Sequence, residues 1–197
     1  MTGREEAEQV LAPHLDRIRQ CINGAVNEYK SILNPSLQTK FSTRTRASGI
    51  NDLMRFNVMK QFDGVVGARC TVKRGQFRLY IGNHFSIRFK KFDRRLRTSN
   101  IPTGQALRFE NQKPDQLHFD LPGAPPPTTN LFAGYRFNLL QTAVDGLFIV
   151  CPNGGRNEWV LEVTQPMRTA EVVPIAPQRT AKRVRPKVSK VEEKDEQ

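Results

Sequence analysis

Residues 68–90 read ARCTVKRGQFRLYIGNHFSIRFK and set the fold class. Apolar residues occupy every second position in three short runs, and glycine-containing turn signals separate the runs. Alternation of this kind is typical of strands with one buried face, and tight turns connect antiparallel neighbours. The pattern therefore predicts a three-stranded antiparallel meander. The interleaved Arg78, Arg88 and Lys90 are expected on the opposite, solvated face.

The sheet is predicted to continue after a proline-rich loop at residues 114–130. Further strands are expected at 131–139, 144–150 and 159–163, because each run is apolar or alternating and is bounded by turn residues. Together these runs predict one antiparallel sheet of five or six strands within residues 68–163. The connection before the loop is irregular and basic, with a helical turn predicted near Gly104–Phe109.

Two helices are predicted before the sheet. Residues 1–34 carry apolar side chains at three- and four-residue steps, which is the period of an amphipathic helix. A second helix is predicted over residues 47–62, with Thr45 or Ser48 as its capping residue. Because the apolar stripes of both helices need a surface to cover them, the predicted fold is α+β, with the helices on one face of the sheet in a single domain over residues 1–165.

The bulk composition narrows the class of protein. Residues 166–197 are rich in Pro, Lys, Arg and Glu, which predicts a disordered tail. No apolar run reaches the length of a membrane span, and the first twenty residues lack a hydrophobic signal core. The three cysteines are widely separated and show no metal-ligand spacing. We therefore expect a soluble cytoplasmic protein without a cofactor or a bound metal.

The positive charge is concentrated in one part of the chain. The net charge is +12, and residues 41–113 hold sixteen Lys/Arg against four Asp/Glu, whereas residues 1–40 hold five of each. A block as asymmetric as this predicts a basic surface that meets an acidic partner. The nine candidate nucleic-acid contacts within the block are Arg44, Arg46, Arg78, Arg88, Lys90, Lys91, Arg94, Arg95 and Arg97.

Binding of DNA or RNA by these cations would depend steeply on salt, since each phosphate contact releases counterions. Phenylalanines interleaved with the charges, such as Phe85 and Phe89, would either stack on unpaired bases or belong to the core, as their alternation suggests. Residues 43–46 form a further candidate anion site at the start of the second helix, with an ordinary capped helix start as the alternative.

A metal-dependent nuclease is another hypothesis. Asp145 begins an apolar strand, and Glu158 and Glu162 lie on or near the next one, which is the order of the metal-binding acids in restriction-type nucleases. Position 164 is threonine, however, where such enzymes carry a lysine that stabilises the transition state. The alternative is that these acids lie in turns or face solvent, so no catalytic residue is assigned.

Five segments resemble an uncharacterised bacterial family. They are STRTRASGIND at 42–52, KKFDRRLRTSNIPTGQALRFENQ at 90–112, LFAGYRFN at 131–138, GLFIVCPNG at 146–154 and EWVLEV at 158–163. The resemblance covers about residues 41–165. Genes of that family lie near those of helix-turn-helix regulators with zinc-peptidase-like domains, which implies a regulatory, toxin–antitoxin, phage or mobile-element setting. It implies no site residues.

Three functions therefore stay open. The leading one is a non-enzymatic nucleic-acid-binding or regulatory protein that uses the basic sheet face and its loop. The alternatives are a protein-interaction module of antitoxin or adaptor type that binds an acidic protein, and a degenerate metal-dependent nuclease.

Overall fold

The computed structural model describes residues 1–73, 75–113 and 128–163. The predicted tail at 166–197 and most of the predicted loop at 114–130 lie outside these residues. The elements in chain order are α1 Arg4–Ile32, α2 Pro35–Gln38, α3 Thr43–Gln61, β1 Ala68–Lys73, β2 Gln76–Ile81, β3 Phe85–Phe92, α4 Gly104–Glu110, β4 Thr129–Phe137, β5 Val144–Asn153 and β6 Arg156–Glu162. The predicted α+β class is confirmed, and α4 lies where a helical turn was expected. Among the described residues, no helix is both long and apolar enough to span a bilayer.

Six strands form one mixed sheet, in which the spatial order of the strands is their order in the chain. Four of the five pairings are antiparallel, but β3 and β4 run parallel. The prediction of an antiparallel sheet is therefore wrong at this pairing. Parallel neighbours need a long crossover connection. The segment between Phe92 and Thr129, which contains α4, provides it and returns the chain to the starting end of β3.

The first face of the sheet shares a hydrophobic core with α1 and α3. Alternate strand residues point into this core, because side chains on a strand alternate between the two faces. Its fully buried members include Leu11, Ile18 and Ile22 of α1, Ile50 and Met54 of α3, and Leu79, Phe85, Ile87, Leu131 and Ile149 of the sheet. The predicted burial of the alternating apolar residues is confirmed for Leu79, Ile81, Phe85, Ile87 and Phe89, whereas Phe77 is partly buried.

Helix α3 begins four residues before the predicted start at residue 47. The hydroxyl oxygen of Ser42 accepts a hydrogen bond from the Thr45 backbone nitrogen at 3.1 Å, and this caps the first turn. The prediction that Thr45 or Ser48 caps the helix is therefore wrong. As a result, Arg44 and Arg46 lie inside the first turn of the helix and not in a preceding loop.

The second face of the sheet is not a solvated basic face. The connection after β3 folds over this face, and α4 brings Phe109 onto a smaller apolar cluster that includes Phe132, Phe148 and Val150. Arg78 and Arg88 are only 6% and 8% exposed. Their guanidinium carbons lie 5.3 and 4.9 Å from the centre of the Phe109 ring. The predicted exposure of these two arginines is wrong, because the planar guanidinium groups are covered by an aromatic ring.

Gln112, just after α4, forms hydrogen bonds with the backbone of the sheet. Its backbone is left-handed, with φ 56°. The side-chain amide nitrogen donates to the carbonyl oxygens of Asn130, at 2.8 Å, and Pro152, at 2.7 Å. The amide oxygen accepts from the Asn130 backbone nitrogen at 2.8 Å. One side chain therefore pairs with backbone groups of both β4 and β5, in the way that a neighbouring strand would.

Two buried tyrosine hydroxyl groups of the helix-facing core, those of Tyr29 and Tyr135, have no hydrogen-bond partner among the described residues. Burial, and to a lesser extent the nearby Tyr29, raises the pKa of Tyr135, so its hydroxyl stays protonated. An unsatisfied buried hydroxyl costs free energy. We predict that Tyr135→Phe raises the free energy of unfolding by about 1 kcal/mol in urea denaturation. The half-buried Tyr80 serves as the control, and Tyr80→Phe should change stability little. A loss of stability in Tyr135→Phe would contradict the prediction.

Candidate nucleic-acid interface

The nine predicted cations lie in three places rather than on one face. Arg78, Arg88 and Lys90 lie on the face that α4 covers, Arg44 and Arg46 lie in the first turn of α3 near Lys91, and Arg94, Arg95 and Arg97 lie in the turn that follows β3. The sheet therefore separates the positive charges of residues 41–113 into different groups. Lys91, Arg94 and Arg95 lie at or just after the carboxyl end of β3, and Arg46 acts electrostatically on Lys91.

The parallel pairing of β3 and β4 places the carboxyl ends of both strands at the same edge. Their register runs from Phe85 opposite Thr129 to Phe92 opposite Arg136. In open α/β sheets, ligands bind in the crevice beyond the carboxyl ends of parallel strands. We call the cations at this end the basic rim. Its members are Arg44, Arg46, Lys91, Arg94 and Arg95.

Lys91 is the half-buried centre of the basic rim. Its Nζ donates to Oε1 of Gln141 at 2.6 Å and lies 5.4 Å from the centre of the Phe137 ring. Burial, followed by the neighbouring charge of Arg46, lowers the pKa of Lys91. The hydrogen-bond acceptor of Lys91 is thus a neutral amide. The charge that acts on its pKa is that of Arg46, which is also positive. The local potential is positive and attracts an anion.

The turn after β3 holds Arg94 and Arg95 in a fixed loop. Oδ1 of Asp93 accepts hydrogen bonds from the backbone nitrogens of Arg95 and Arg97, both at 2.8 Å. Leu96 adopts the left-handed backbone conformation with φ 55°, and its carbonyl oxygen accepts from Nδ2 of Asn157 at 3.0 Å. The side chains of Arg94 and Arg95 are exposed. The turn therefore presents these two side chains on a rigid backbone.

Arg97 differs from its neighbours in this turn. Its Nε lies 3.5 Å from Oδ2 of Asp93. A surface ion pair of this length is weak. It nevertheless neutralises part of the local charge, so we leave Arg97 out of the basic rim.

One cation at this end was missed by the sequence reasoning. Arg136 ends up beside the basic rim because of the parallel register, which no local sequence pattern indicates. Its guanidinium group pairs with Oδ2 of Asp145, with Nη2 at 2.9 Å and Nε at 3.0 Å, and stacks 4.8 Å from the centre of the Phe148 ring. The carboxylate of Asp145 therefore compensates the charge of Arg136.

Two of the three acids of the nuclease hypothesis have structural partners. Asp145 pairs with Arg136, and Oε2 of Glu158 accepts from Nδ2 of Asn153 at 3.0 Å. Glu162 lies opposite Phe148 in the pairing of β5 and β6. Within the part of the chain that the structure describes, no group of three or more His, Cys, Asp or Glu is placed to hold a metal ion. The described residues give the nuclease hypothesis no support.

Comparison of the chain with protein-family models, with curated proteins and with solved structures finds no match. The function therefore has to be inferred from the residues themselves.

Proposed function

We propose that this protein binds nucleic acid through the basic rim and acts as a non-enzymatic binding or regulatory protein. The observation that carries the proposal is that the charges of the rim cations are not compensated locally within the described residues. None of the five rim cations forms an ion pair with a carboxylate of the described residues, although Arg97 and Arg136 at the same end do. Protein surfaces usually intersperse charges of both signs.

The first turn of α3 supports the same conclusion. The partial positive charge at a helix N-terminus favours acidic residues and disfavours cations. This turn contains no acidic residue, whereas Arg44 and Arg46 both lie in it. The arrangement costs helix stability in the free protein, and a phosphate group placed beside it would interact favourably with the arginines and with the helix dipole.

We predict that the double variant Arg46→Gln/Lys91→Gln loses about two units of slope in a plot of log affinity against log salt, because each lost phosphate contact removes about 0.9 for duplex DNA. At about 0.1 M salt this corresponds to roughly 50-fold weaker binding. Filter binding of a DNA duplex and of single-stranded RNA across a salt series measures both quantities. It also shows which nucleic acid the rim prefers.

The matched control is Lys60→Gln/Arg108→Gln, which removes the same charge from exposed positions away from the rim. It should keep the slope of the unmodified protein. Equal losses in both double variants, or no binding by the unmodified protein at low salt, would overturn the proposal. A protein partner that is captured equally well after nuclease treatment would instead favour the adaptor hypothesis.

A further inference from the structure

The sheet opens between β2 and β3. Their pairing begins at Ile81 opposite Phe85 and ends at Leu79 opposite Ile87, although β3 continues to Phe92. Extending the register by one step would set Arg78 opposite Arg88, with two guanidinium groups side by side. Like charges directly opposite each other on neighbouring strands are destabilising. The pairing stops at this step, and both guanidinium groups lie over the Phe109 ring instead.

A cleft with a volume of about 130 Å³ lies where the two strands separate, and α3 contributes one of its walls. Its charged and amide lining consists of Arg55, Arg88, Lys90, Asp52, Asn51 and Gln76. Asp52 is the only carboxylate among the described lining residues, whereas Arg55 and Lys90 are cations that form no ion pair with a described carboxylate. No described cation lies within ion-pair distance of Asp52. The described lining of the cleft therefore has a net positive charge and contains several hydrogen-bond donors.

Lys90 is the residue that makes an anion in this cleft favourable. It is half-buried, and it forms no hydrogen bond or ion pair with any of the described residues. Burial, followed by the charge of Arg88, lowers the pKa of Lys90, while Glu110 acts in the opposite direction. Burial of an ammonium group beside a guanidinium group is costly unless an acceptor or an anion satisfies it.

We propose that this cleft binds one phosphate group, as inorganic phosphate or as the terminal phosphate of a nucleotide or strand. The cleft has a volume of about 130 Å³. That space suits a tetrahedral oxyanion. It is smaller than the roughly 300 Å³ at which sites for drug-sized ligands begin, so a base and its sugar stay outside. Lys90 and Arg55 donate hydrogen bonds to the phosphate oxygens, with the Asn51 and Gln76 amides as further donors.

The site is separate from the basic rim. Lys90 and Lys91 are adjacent in β3 and therefore point to opposite faces of the sheet. Lys90 is among the residues that line the cleft, whereas Lys91 is not, and its Nζ contacts Gln141 and Phe137. The inference does not rest on nucleic-acid binding by the rim, and the two sites can be tested with different single substitutions in neighbouring residues.

The test is calorimetric titration of the full chain with inorganic phosphate at constant ionic strength. We expect one phosphate per chain in the unmodified protein and about tenfold weaker binding or more in Lys90→Met and in Arg55→Met, since each variant removes a charge-assisted hydrogen bond. Arg55 lies on the partly exposed side of α3, so its variant stays informative if Lys90→Met does not fold. Lys60→Met, at an exposed position of the same helix as Arg55, is the matched control and should bind phosphate as the unmodified protein does.

Two further titrations identify the source of the phosphate. A nucleoside 5′-monophosphate should bind as well as inorganic phosphate if the terminal group alone enters the cleft, and a dinucleotide that lacks a terminal phosphate should not compete. Absence of phosphate binding by the unmodified protein would overturn the inference, as would equal weakening in Lys90→Met and Lys60→Met. Neither result would affect the salt dependence measured with the rim variants, so failure of this inference and failure of the proposed function are distinguishable.

Discussion

Replacement of Gly134 with alanine is expected to lower the free energy of unfolding by about 3 kcal/mol or more. Gly134 lies opposite Lys90 in the parallel pairing of β3 and β4. A Cβ atom on Gly134 would overlap the carbonyl oxygen of Lys90 and would lie 2.8 Å from its carbonyl carbon. These atoms belong to the strand backbone, so rotation of a side chain cannot relieve the overlap. The two central strands of the sheet would have to separate.

The control for this substitution is Gly104→Ala, at the first residue of α4. A Cβ atom there meets no other atom within 4 Å. Because alanine favours helix more than glycine does, Gly104→Ala should leave stability unchanged or raise it by up to about 1 kcal/mol. Urea unfolding followed through the single tryptophan, Trp159, measures both variants. If Gly134→Ala were as stable as Gly104→Ala, the register of the parallel pair would be wrong, and so would the position of the basic rim.

The strands that form the meander were predictable because their signal is local. The alternation of Leu79, Ile81, Phe85, Ile87 and Phe89 with polar residues identifies the face that packs against the helices, and all five are buried in the shared core. A period of two residues can be recognised within a single strand. The long helical period of α1 is local in the same sense, and the structure places that helix at Arg4–Ile32 within the predicted residues 1–34.

The direction of β4 was not predictable in the same way. Alternation shows which side chains share a face, but it is the same for a parallel and an antiparallel neighbour. The choice depends on the path of the chain between Phe92 and Thr129, which contains a short helix and six prolines. Sequence reasoning therefore placed all the strands in antiparallel order. An antiparallel β4 would not bring the carboxyl ends of β3 and β4 to the same end of the sheet, where Phe92 lies opposite Arg136.

The residues of the candidate interface were predictable, but their grouping was not. Charge density alone selects the cations of residues 41–113. Whether a given cation faces solvent depends on what covers it, and the cover over Arg78 and Arg88 comes from Phe109, more than twenty residues further along the chain. Arginine next to an apolar strand residue is ordinarily interpreted as surface. Its planar guanidinium group also packs well on an aromatic ring, so the same pattern fits a buried position.

Truncation of Phe109 is expected to have an effect as large as that of Gly134→Ala. The side chain is fully buried, and its ring centre lies 5.0 Å from that of Phe132. The guanidinium groups of Arg78 and Arg88 pack on the same ring. Phe109→Ala should lower the free energy of unfolding by about 3–5 kcal/mol, because it leaves a cavity between α4 and the sheet. The control is Leu107→Ala in the same helix. Leu107 is 45% exposed, so its truncation should cost less than about 1 kcal/mol.

A smaller change at Phe109 separates its apolar packing from the contact between its aromatic ring and the two guanidinium groups. Phe109→Leu keeps an apolar side chain in place but removes the aromatic face, so it should cost about 1–1.5 kcal/mol of stability. Arg88 also lines the cleft between β2 and β3, and its guanidinium group packs on the Phe109 ring. We therefore expect Phe109→Leu to weaken phosphate binding, although Phe109 is not among the residues that line the cleft. Unchanged phosphate affinity in a folded Phe109→Leu protein would show that the ring only fills space, and that the position of Arg88 is set by other contacts.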